Sequence, residues 1–107
     1  MKSLNNKVAA ITGAASGIGQ MLAVRLADEQ CNLALADVNE AGLAQTDAMV
    51  GGKVKVSLHE VDVAREEQVQ RFAKEVAEIH GGVDLIVNNA GVGLGDFLET
   101  VPLEDFR

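Results

Sequence analysis

A glycine-rich segment at residues 12–19, with the sequence T-G-A-A-S-G-I-G, places the strongest constraint on how this chain can fold. An apolar run precedes it at residues 7–12, and a helical pattern of apolar residues follows it. This order predicts a tight turn from a buried strand into a helix. Gly13, Gly17 and Gly19 lack a Cβ atom, so main-chain N–H groups can approach a ligand closely there. Because the first turn of a helix has unpaired N–H groups and about half a positive charge, the segment is a candidate site for a phosphate group.

The glycine spacing has two explanations, and Asp37 favours one of them. Tight strand-to-helix turns also use glycine for close packing alone. Asp37, however, ends the next apolar run, close to the distance of about 20 residues at which dinucleotide-binding folds place an acidic residue. Its carboxylate can accept hydrogen bonds from the ribose hydroxyls of adenosine, and it would repel a 2′-phosphate by several kcal/mol at ~4 Å. We therefore expect a preference for NAD over NADP, the alternative being a surface aspartate that starts a turn.

Strand and helix patterns alternate along the chain. The predicted elements are strands at residues 7–12, 32–36, 53–61 and 83–87, helices at residues 18–30, 39–50 and 65–80, and a helix start at residues 100–106. Near-continuous apolar strands of this kind predict an α/β fold, a Rossmann-like parallel sheet covered on both faces, in the strand order 3-2-1-4. The ligand crevice then opens at the carboxyl ends of the first and fourth strands, where the strand order reverses.

The same patterns make predictions about single elements. Ile18, Leu22 and Leu26 form an apolar stripe on the first helix that is expected to pack on the sheet. Asn39 is predicted as the N-cap of the second helix, and Gly51 as its end. The lysine and glutamate content of the third strand predicts a position at the edge of the sheet.

Length and charge limit the function classes. The 107 residues suit one domain with a single core and leave no room for a second domain. The formal charge is −7 and no cluster of lysine and arginine is present, which disfavours binding to nucleic acid or to an anionic membrane. The sequence has no run of the roughly 20 apolar residues that a membrane span needs, and no apolar block of a signal peptide. We therefore expect a cytoplasmic protein.

The single cysteine and the two histidines do not have the spacing of metal ligands. Cys31 cannot form an internal disulfide and begins an apolar run, so we expect a buried structural thiol. His59 and His80 are interpreted as isolated from each other and from the cysteine. No bound metal is therefore expected.

Four polar side chains near the predicted crevice have both a structural and a binding explanation. Asp62, after the third strand, either accepts a hydrogen bond from the amino group of adenine or is a turn or cap residue before the third helix. Ser16 either donates a hydrogen bond to a phosphate or bonds within the turn. Asn88 and Asn89 enter a buried strand end, where a structural hydrogen bond and a ligand contact are equally expected.

These features together resemble the short-chain dehydrogenase/reductase family. T-G-A-A-S-G-I-G follows the first strand, Asp37 ends the second, Asp62-Val63 follows the third, and N-N-A-G occupies residues 88–91. The four features occur in the family's order and at compatible spacings, across nearly the whole chain. The resemblance implies an NAD(P)-dependent oxidoreductase that acts on an alcohol or carbonyl substrate.

The resemblance also implies a role for each matching residue. It places Gly13, Ser16, Gly17, Ile18 and Gly19 around the pyrophosphate and adenosine ribose, Asp37 at the ribose, Asp62 and Val63 at the adenine, and Asn89, Ala90 and Gly91 along the wall of the cofactor. By the same resemblance, Asn88 braces the sheet. Members that prefer NADP tend to carry an arginine after the acidic residue or in the glycine turn. This chain has none at those positions, which favours NAD.

The catalytic residues of the family have no counterpart in these 107 residues. Members carry a serine, a Tyr-x-x-x-Lys pair and a further asparagine beyond the position that matches Arg107, and this sequence contains no tyrosine. In the family the tyrosine moves the proton of the substrate hydroxyl while hydride passes to or from nicotinamide. We therefore expect residues 1–107 to be the NAD-binding N-terminal half of a Rossmann-type domain, truncated after the fourth strand and the start of the next helix. Such a chain would be inactive alone and would bind substrate only in a full-length form.

Two alternatives without catalysis stay open. The chain is then either a standalone nucleotide-binding module or an association module that completes its sheet with another chain. In a truncated fold, the edge of the fourth strand with Leu85, Ile86 and Val87 is left unpaired. We therefore also expect self-association through this edge.

Overall fold

The computed structural model describes residues 3–89, which form a four-stranded parallel sheet with helices on both faces. The elements in chain order are β1 (Val8–Thr12), α1 (Gly17–Asp28), β2 (Asn32–Asp37), α2 (Glu40–Val50), β3 (Val56–Glu60), α3 (Glu66–His80) and β4 (Leu85–Asn88). The strands lie in the order β3-β2-β1-β4, and each neighbouring pair is parallel. The predicted fold class and strand order are confirmed, and β3 lies at a sheet edge as its charged residues indicated.

β1 lies inside the sheet, and all of its residues, Val8–Thr12, are buried. In the register of the sheet, Ala10 lies opposite Ala34 of β2 and Ile86 of β4. Parallel strands need crossover connections, and a helix supplies each of them here. The carboxyl ends of the strands therefore lie at one edge of the sheet, where the segments that follow β1, β2 and β4 can meet.

The larger core lies between the sheet and helices α1 and α2. Its buried members are Ala9, Ile11, Ala14, Ala15, Ala23, Ala27, Cys31, Leu33, Leu35, Leu43, Val50 and Leu85. Alternate side chains of each strand point to this face, as the period of two in a strand requires. Full burial of a leucine or isoleucine contributes about 1.5–3 kcal/mol, so this face is the main source of hydrophobic stabilisation in the described chain.

The opposite face of the sheet carries a smaller core with α3. Its buried members are Val8, Ala10, Ala34, Ala36, Val61, Phe72 and Val76. An apolar cavity of about 350 Å³ lies between α3 and strands β1 and β4. Val69, Val83 and Ile86 line this cavity and are 39–45% exposed. Within residues 3–89, this face is therefore less completely packed than the face under α1 and α2.

Asn39 caps the start of α2, and a glycine ends each of the helices α2 and α3. Asn39 Oδ1 accepts the N–H of Gly42 at 3.0 Å, so Asn39 is the N-cap of α2 as predicted. Gly51 ends α2 with φ of 72°, and Gly81 ends α3 with φ of 81°. Both lie in the left-handed region that glycine adopts without steric cost.

The predicted apolar stripe on α1 is wrong at its first member. Ile18 is 66% exposed, whereas Leu22 and Leu26 are partly buried and pack against the larger core, as predicted. The residues of α1 that face the sheet are the small ones, Gly19, Ala23 and Ala27. The reason is close packing: a Cβ atom at Gly19 would lie 2.0 Å from the carbonyl oxygen of Gly13. A larger side chain than glycine therefore does not fit at position 19.

Three strands are shorter than predicted, and β1 is so by one residue because it begins at Val8. β3 begins at Val56, three residues later than expected, and Lys55 before it donates its N–H to the side chain of Asn32 at 3.0 Å. β4 begins at Leu85, two residues later than expected. The predicted helix start at residues 100–106 and the loop before it lie outside the described residues.

Candidate functional site

The glycine turn, residues 12–19, joins the end of β1 to the start of α1. Gly13 and Gly17 have φ of 67° and 54°, in the left-handed region that favours glycine. Among the described residues 3–89, a Cβ atom added at Gly17 would meet nothing within 4 Å, and both Ser16 and Gly17 are exposed. The backbone here borders open space, as a phosphate-binding turn requires.

The N-terminus of α1 has no side-chain cap. Ser16 occupies the N-cap position with extended backbone, but its side chain makes no capping hydrogen bond, in contrast with Asn39 at the start of α2. The first N–H groups of a helix have no partner within the helix. Together with the partial positive charge of the helix end, these donors suit an anionic ligand.

Ala14 and Ala15, in the middle of the glycine turn, have all four main-chain polar groups hydrogen-bonded to other parts of the chain. Ala14 N–H donates to a β2 carbonyl at 3.1 Å, and Ala14 O accepts from the Thr46 hydroxyl at 2.6 Å. Ala15 N–H donates to Asp37 Oδ2 at 3.1 Å, and Ala15 O accepts from Gln20 Nε2 at 2.9 Å. The conformation of the turn is therefore held by β2, α2 and α1 together.

Asp37 lies at the end of β2 and on the same side of the sheet as the glycine turn. Its Oδ2 accepts the N–H of Ala15 at 3.1 Å, and its Oδ1 accepts the N–H of Asn39 at 3.0 Å. These two bonds fix the orientation of the carboxylate. Each carboxylate oxygen retains a lone pair for a further donor, so the turn role and a ligand role are compatible.

Asp62 forms the turn between β3 and α3. Its Oδ1 accepts the N–H of Ala64 at 3.0 Å, and its carbonyl accepts the N–H of Arg65 at 3.0 Å. Asp62 N–H donates to Gln68 Oε1 at 2.8 Å. The structural explanation offered for Asp62 is therefore observed, and its contact with adenine stays a prediction. Val63, the next residue, is half-buried and packs against the smaller core.

Three polar residues link the carboxyl ends of β1 and β4. Thr12 Oγ1 donates to Asn88 Oδ1 at 2.8 Å and accepts the N–H of Asn89 at 3.0 Å. Asn89 Nδ2 donates to the carbonyl of Gly13 at 3.3 Å. The sequence drew attention to the two asparagines but not to Thr12 as their common partner, which parallel pairing of β1 with β4 brings between them.

Most of the predicted cofactor residues lie near the carboxyl ends of the strands. Those that the structure describes there are Gly13, Ser16, Gly17, Ile18, Gly19, Asp37, Asp62, Val63 and Asn89. Asp37 and Asn89 bond directly to the glycine turn, whereas Asp62 and Val63 follow the edge strand β3. Ala90 and Gly91 lie outside the described residues. An open turn, an uncapped helix end and an oriented carboxylate fit a dinucleotide.

α2 contacts the glycine turn through residues that sequence analysis did not identify. Thr46 is fully buried, and Gly42 lies so close that a Cβ atom there would be 2.6 Å from the Cβ of Ala15. Leu43, Thr46 and Val50 share the buried face of α2. The sequence signal that would have predicted this contact is the position of Thr46 between Leu43 and Val50, at the spacing of one helix face.

A second polar cluster lies between β3 and the end of α3. Ser57 Oγ lies 2.7 Å from His59 Nε2 and 2.8 Å from His80 Nε2, and His59 Nδ1 lies 2.8 Å from Glu75 Oε1. The interpretation that the two histidines are isolated is therefore wrong, because α3 returns His80 to the hydroxyl that also meets His59.

The donors in this cluster follow from the chemistry of its members. A carboxylate only accepts, so His59 Nδ1 carries the hydrogen that bonds to Glu75. In the tautomers that pair every hydrogen of this chain of contacts, His59 Nε2 accepts from the Ser57 hydroxyl, and Ser57 Oγ accepts from His80 Nε2. His80 Nδ1 is buried and has no hydrogen-bond partner among residues 3–89. Burial, the charge of Lys55 and the proximity of His59 lower the pKa of His80 from its usual value.

Cys31 is buried, as predicted. Burial and the negative charge of Asp84 raise the pKa of its thiol to about 11, so it is protonated and unreactive at neutral pH.

Among residues 3–89, no group of three or more histidine, cysteine, aspartate or glutamate side chains is placed to hold a metal ion. The helices of that same part of the chain are too short or too polar to span a bilayer.

Comparisons with known proteins agree on one family. The family model described as short chain dehydrogenase matches residues 7–107. The uncharacterized oxidoreductase YusZ of Bacillus subtilis is 37% identical over 106 residues, which cover 97% of this chain and 38% of YusZ. The chain spans between 16% and 39% of the length of the first curated relatives that it matches.

Two solved structures are similar over most of the described fold. The crystal structure of an NAD⁺-bound xylitol dehydrogenase has a TM-score of 0.81 and 35% identity, and covers 98% of this chain and 41% of that one. A short chain dehydrogenase/reductase from Burkholderia phymatum, in complex with NAD, has a TM-score of 0.80 and 42% identity, and covers 87% of this chain and 34% of that one.

Proposed function

Because this chain belongs to the short chain dehydrogenase family, whose model matches residues 7–107, we propose that it is the NAD-binding part of an oxidoreductase that acts on an alcohol or carbonyl substrate. The observation that carries the proposal is the open glycine turn. Gly17 has left-handed backbone, and within residues 3–89 there is free space beside it and no side chain that caps the helix end. Main-chain donors facing open space are what a pyrophosphate needs.

Asp37 supports NAD as the cofactor. Its carboxylate is oriented by the N–H groups of Ala15 and Asn39, beside the turn that would bind the pyrophosphate. In that position it accepts hydrogen bonds from the adenosine ribose hydroxyls and repels the 2′-phosphate of NADP. NAD-bound structures among the similar proteins agree with a nicotinamide cofactor.

We propose the remaining cofactor contacts from the resemblance of the sequence to the family. Asp62 and Val63 contact the adenine, and Asn89, Ala90 and Gly91 form a wall along the cofactor. Asn89 already bonds to the carbonyl of Gly13, which supports its place beside the glycine turn.

The residues that carry out proton transfer in the family have no counterpart among these 107 residues. Bound NAD supplies the nicotinamide ring that accepts or donates a hydride. The chain has no tyrosine for the proton transfer that accompanies this step in the family. We therefore expect residues 1–107 to bind NAD without catalysing turnover.

The test compares two glycines with the same local geometry. Gly17 and Gly52 both have positive φ and nothing within 4 Å of an added Cβ atom, but Gly52 follows α2. Gly17→Ala and Gly52→Ala are expected to lose similar stability, about 1 kcal/mol, from backbone strain. Calorimetric titration with NAD should show binding weakened about tenfold or more by Gly17→Ala alone.

Two outcomes contradict the proposal. Equal effects of the two substitutions on NAD affinity would remove the glycine turn from the site. No binding of NAD or NADP by the unmodified chain would instead favour an association module that completes its sheet with another chain.

A further inference from the structure

The first turns of α2 and the glycine turn pack against each other without a gap. A Cβ atom at Gly42 would lie 2.6 Å from the Cβ and 2.7 Å from the carbonyl oxygen of Ala15. One turn further along α2, Thr46 is fully buried, and its hydroxyl lies 2.6 Å from Ala14 O and 3.0 Å from Gly42 O. A side chain of α2 thus bonds to the backbone of the turn itself.

The hydroxyl of Thr46 has one hydrogen and two carbonyl oxygens within reach. The bond to Gly42 O is the usual one from a threonine to the carbonyl four residues earlier in its own helix. The shorter contact is to Ala14 O, a carbonyl outside the helix. Ala14 is buried, and within residues 3–89 the Thr46 hydroxyl is the partner of its carbonyl. Removal of this hydroxyl is therefore costly, because a buried carbonyl loses its hydrogen bond.

We propose that Thr46 is a positioning residue of the nucleotide site, one that fixes the glycine turn through Ala14 O and so orients the N–H groups from Ser16 onward. The inference rests on the proposed NAD site. Thr46 does not itself contact the cofactor, because it is enclosed between α2 and the turn. Its effect passes through the backbone, as the bonds of Ala14 on both sides constrain the peptide units that follow.

A purely structural role for Thr46 makes a different prediction. If Thr46 only fills space under α2, removal of its hydroxyl lowers stability and leaves the affinity of folded molecules for NAD unchanged. If it positions the turn, the same removal also weakens binding. Thr46→Val removes the hydroxyl and keeps the shape, and Thr46→Ser keeps the hydroxyl and removes a methyl group.

The experiment measures NAD affinity by calorimetry and unfolding by urea on the full chain. Thr46→Val should weaken NAD binding about 3- to 10-fold, the effect of one hydrogen bond. Thr46→Ser, which keeps the hydroxyl, should bind NAD with nearly the affinity of the unmodified chain. Val50→Ala, on the same buried face of α2, is the control. It should reduce stability at least as much as Thr46→Val and leave affinity unchanged. Affinity that follows stability alone across the three variants would overturn the proposal.

A second measurement separates this proposal from the proposed function. Amide hydrogen exchange is measured without nucleotide at Ala14 and Ala15, the two amides of the glycine turn that are hydrogen-bonded to β2. Thr46→Val should accelerate exchange at these amides relative to Val50→Ala, and Thr46→Ser should not. This result supports the positioning role even if no nucleotide binds. Equal exchange in Thr46→Val and Val50→Ala would overturn it even if NAD binds normally.

Discussion

The carboxylate of Asp37 receives two main-chain N–H groups, one from the glycine turn and one from the segment that leads into α2. Its orientation therefore depends on the fold and not on a free rotamer. This fixed negative charge lies where a 2′-phosphate of NADP would lie if the site binds a dinucleotide. The choice between the two cofactors should depend on this one side chain.

Asp37→Asn should therefore change cofactor preference. Removal of the charge is expected to lower the ratio of NAD to NADP affinity about tenfold or more, because the repulsion of a phosphate at ~4 Å is several kcal/mol. Calorimetric titration with both nucleotides measures the ratio. Asp28→Asn, which removes an exposed aspartate at the far end of α1, is the control and should leave the ratio unchanged. An unchanged ratio in Asp37→Asn would exclude Asp37 from the choice.

Gly42 provides a residue-scale test of the contact between α2 and the glycine turn. In an unconstrained helix, glycine to alanine stabilises by about 1 kcal/mol. Here the new methyl group would lie 2.6 Å from the Cβ of Ala15, so Gly42→Ala should instead destabilise the chain by about 1–3 kcal/mol. Urea unfolding measures this change.

The exposed residue Ala44 calibrates that measurement. Ala44→Gly, in the same helix, gives the helix propensity term alone and should cost about 1 kcal/mol. If Gly42→Ala raises the free energy of unfolding by as much as Ala44→Gly lowers it, the close contact between Gly42 and Ala15 is contradicted.

At the scale of elements, α3 and β3 are joined by the cluster of Ser57, His59, Glu75 and His80. The pKa of His80 is lowered by its burial, by the charge of Lys55 and by His59. The folded chain therefore binds this proton at a lower pH than the unfolded chain, whose histidine titrates near 6.5. The stabilisation is fully present above about pH 6.5 and is lost as pH falls through the lowered pKa.

Stability should therefore fall between about pH 7.5 and about pH 5.5, and His80→Gln should reduce this dependence. Glutamine has no proton to gain in this range and can still donate to Ser57. Urea unfolding at the two pH values measures the change. Glu78→Gln, on the exposed surface of α3, removes a charge outside the cluster; it is the control and should leave the slope unchanged. A slope that is the same in His80→Gln and the unmodified chain would contradict the assignment.

At the scale of the whole molecule, the described sheet has two edges of different character. β3 carries lysine and glutamate neighbours, whereas β4 presents Ile86 at 45% exposure beside the apolar cavity. Of the three apolar residues predicted at this edge, Leu85 is buried in the larger core, and Val87 packs against it. An exposed apolar strand at an edge favours pairing with another chain.

We therefore expect the 107-residue chain to self-associate through β4. Ile86→Lys should shift sedimentation at micromolar concentration towards the monomer. Leu58→Lys, at 42% exposure on β3, is a matched substitution at the opposite edge and should have little effect. A well-folded monomer in the unmodified chain, or equal effects of the two substitutions, would exclude association through β4.

The sequence by itself determined the order of strands and helices, the parallel sheet and the turn. These depend on local properties: the period of apolar residues, the positive φ at Gly13 and Gly17, and the caps Asn39 and Gly51. Each of them can be read within a few residues because its physical cause is equally local. The acidic residue at the end of β2 was predictable because the crossover rule puts it beside the first turn.

Only the tertiary structure decided how closely the elements pack. The exposure of Ile18, the bond from Thr46 to Ala14 and the meeting of His59 with His80 each depend on the distance between a helix and the sheet. That distance is set by the side chains on both surfaces at once, including the glycine and alanines of α1 that face the sheet. Periodicity along one segment contains no information on it, since it depends on residues that are remote in sequence.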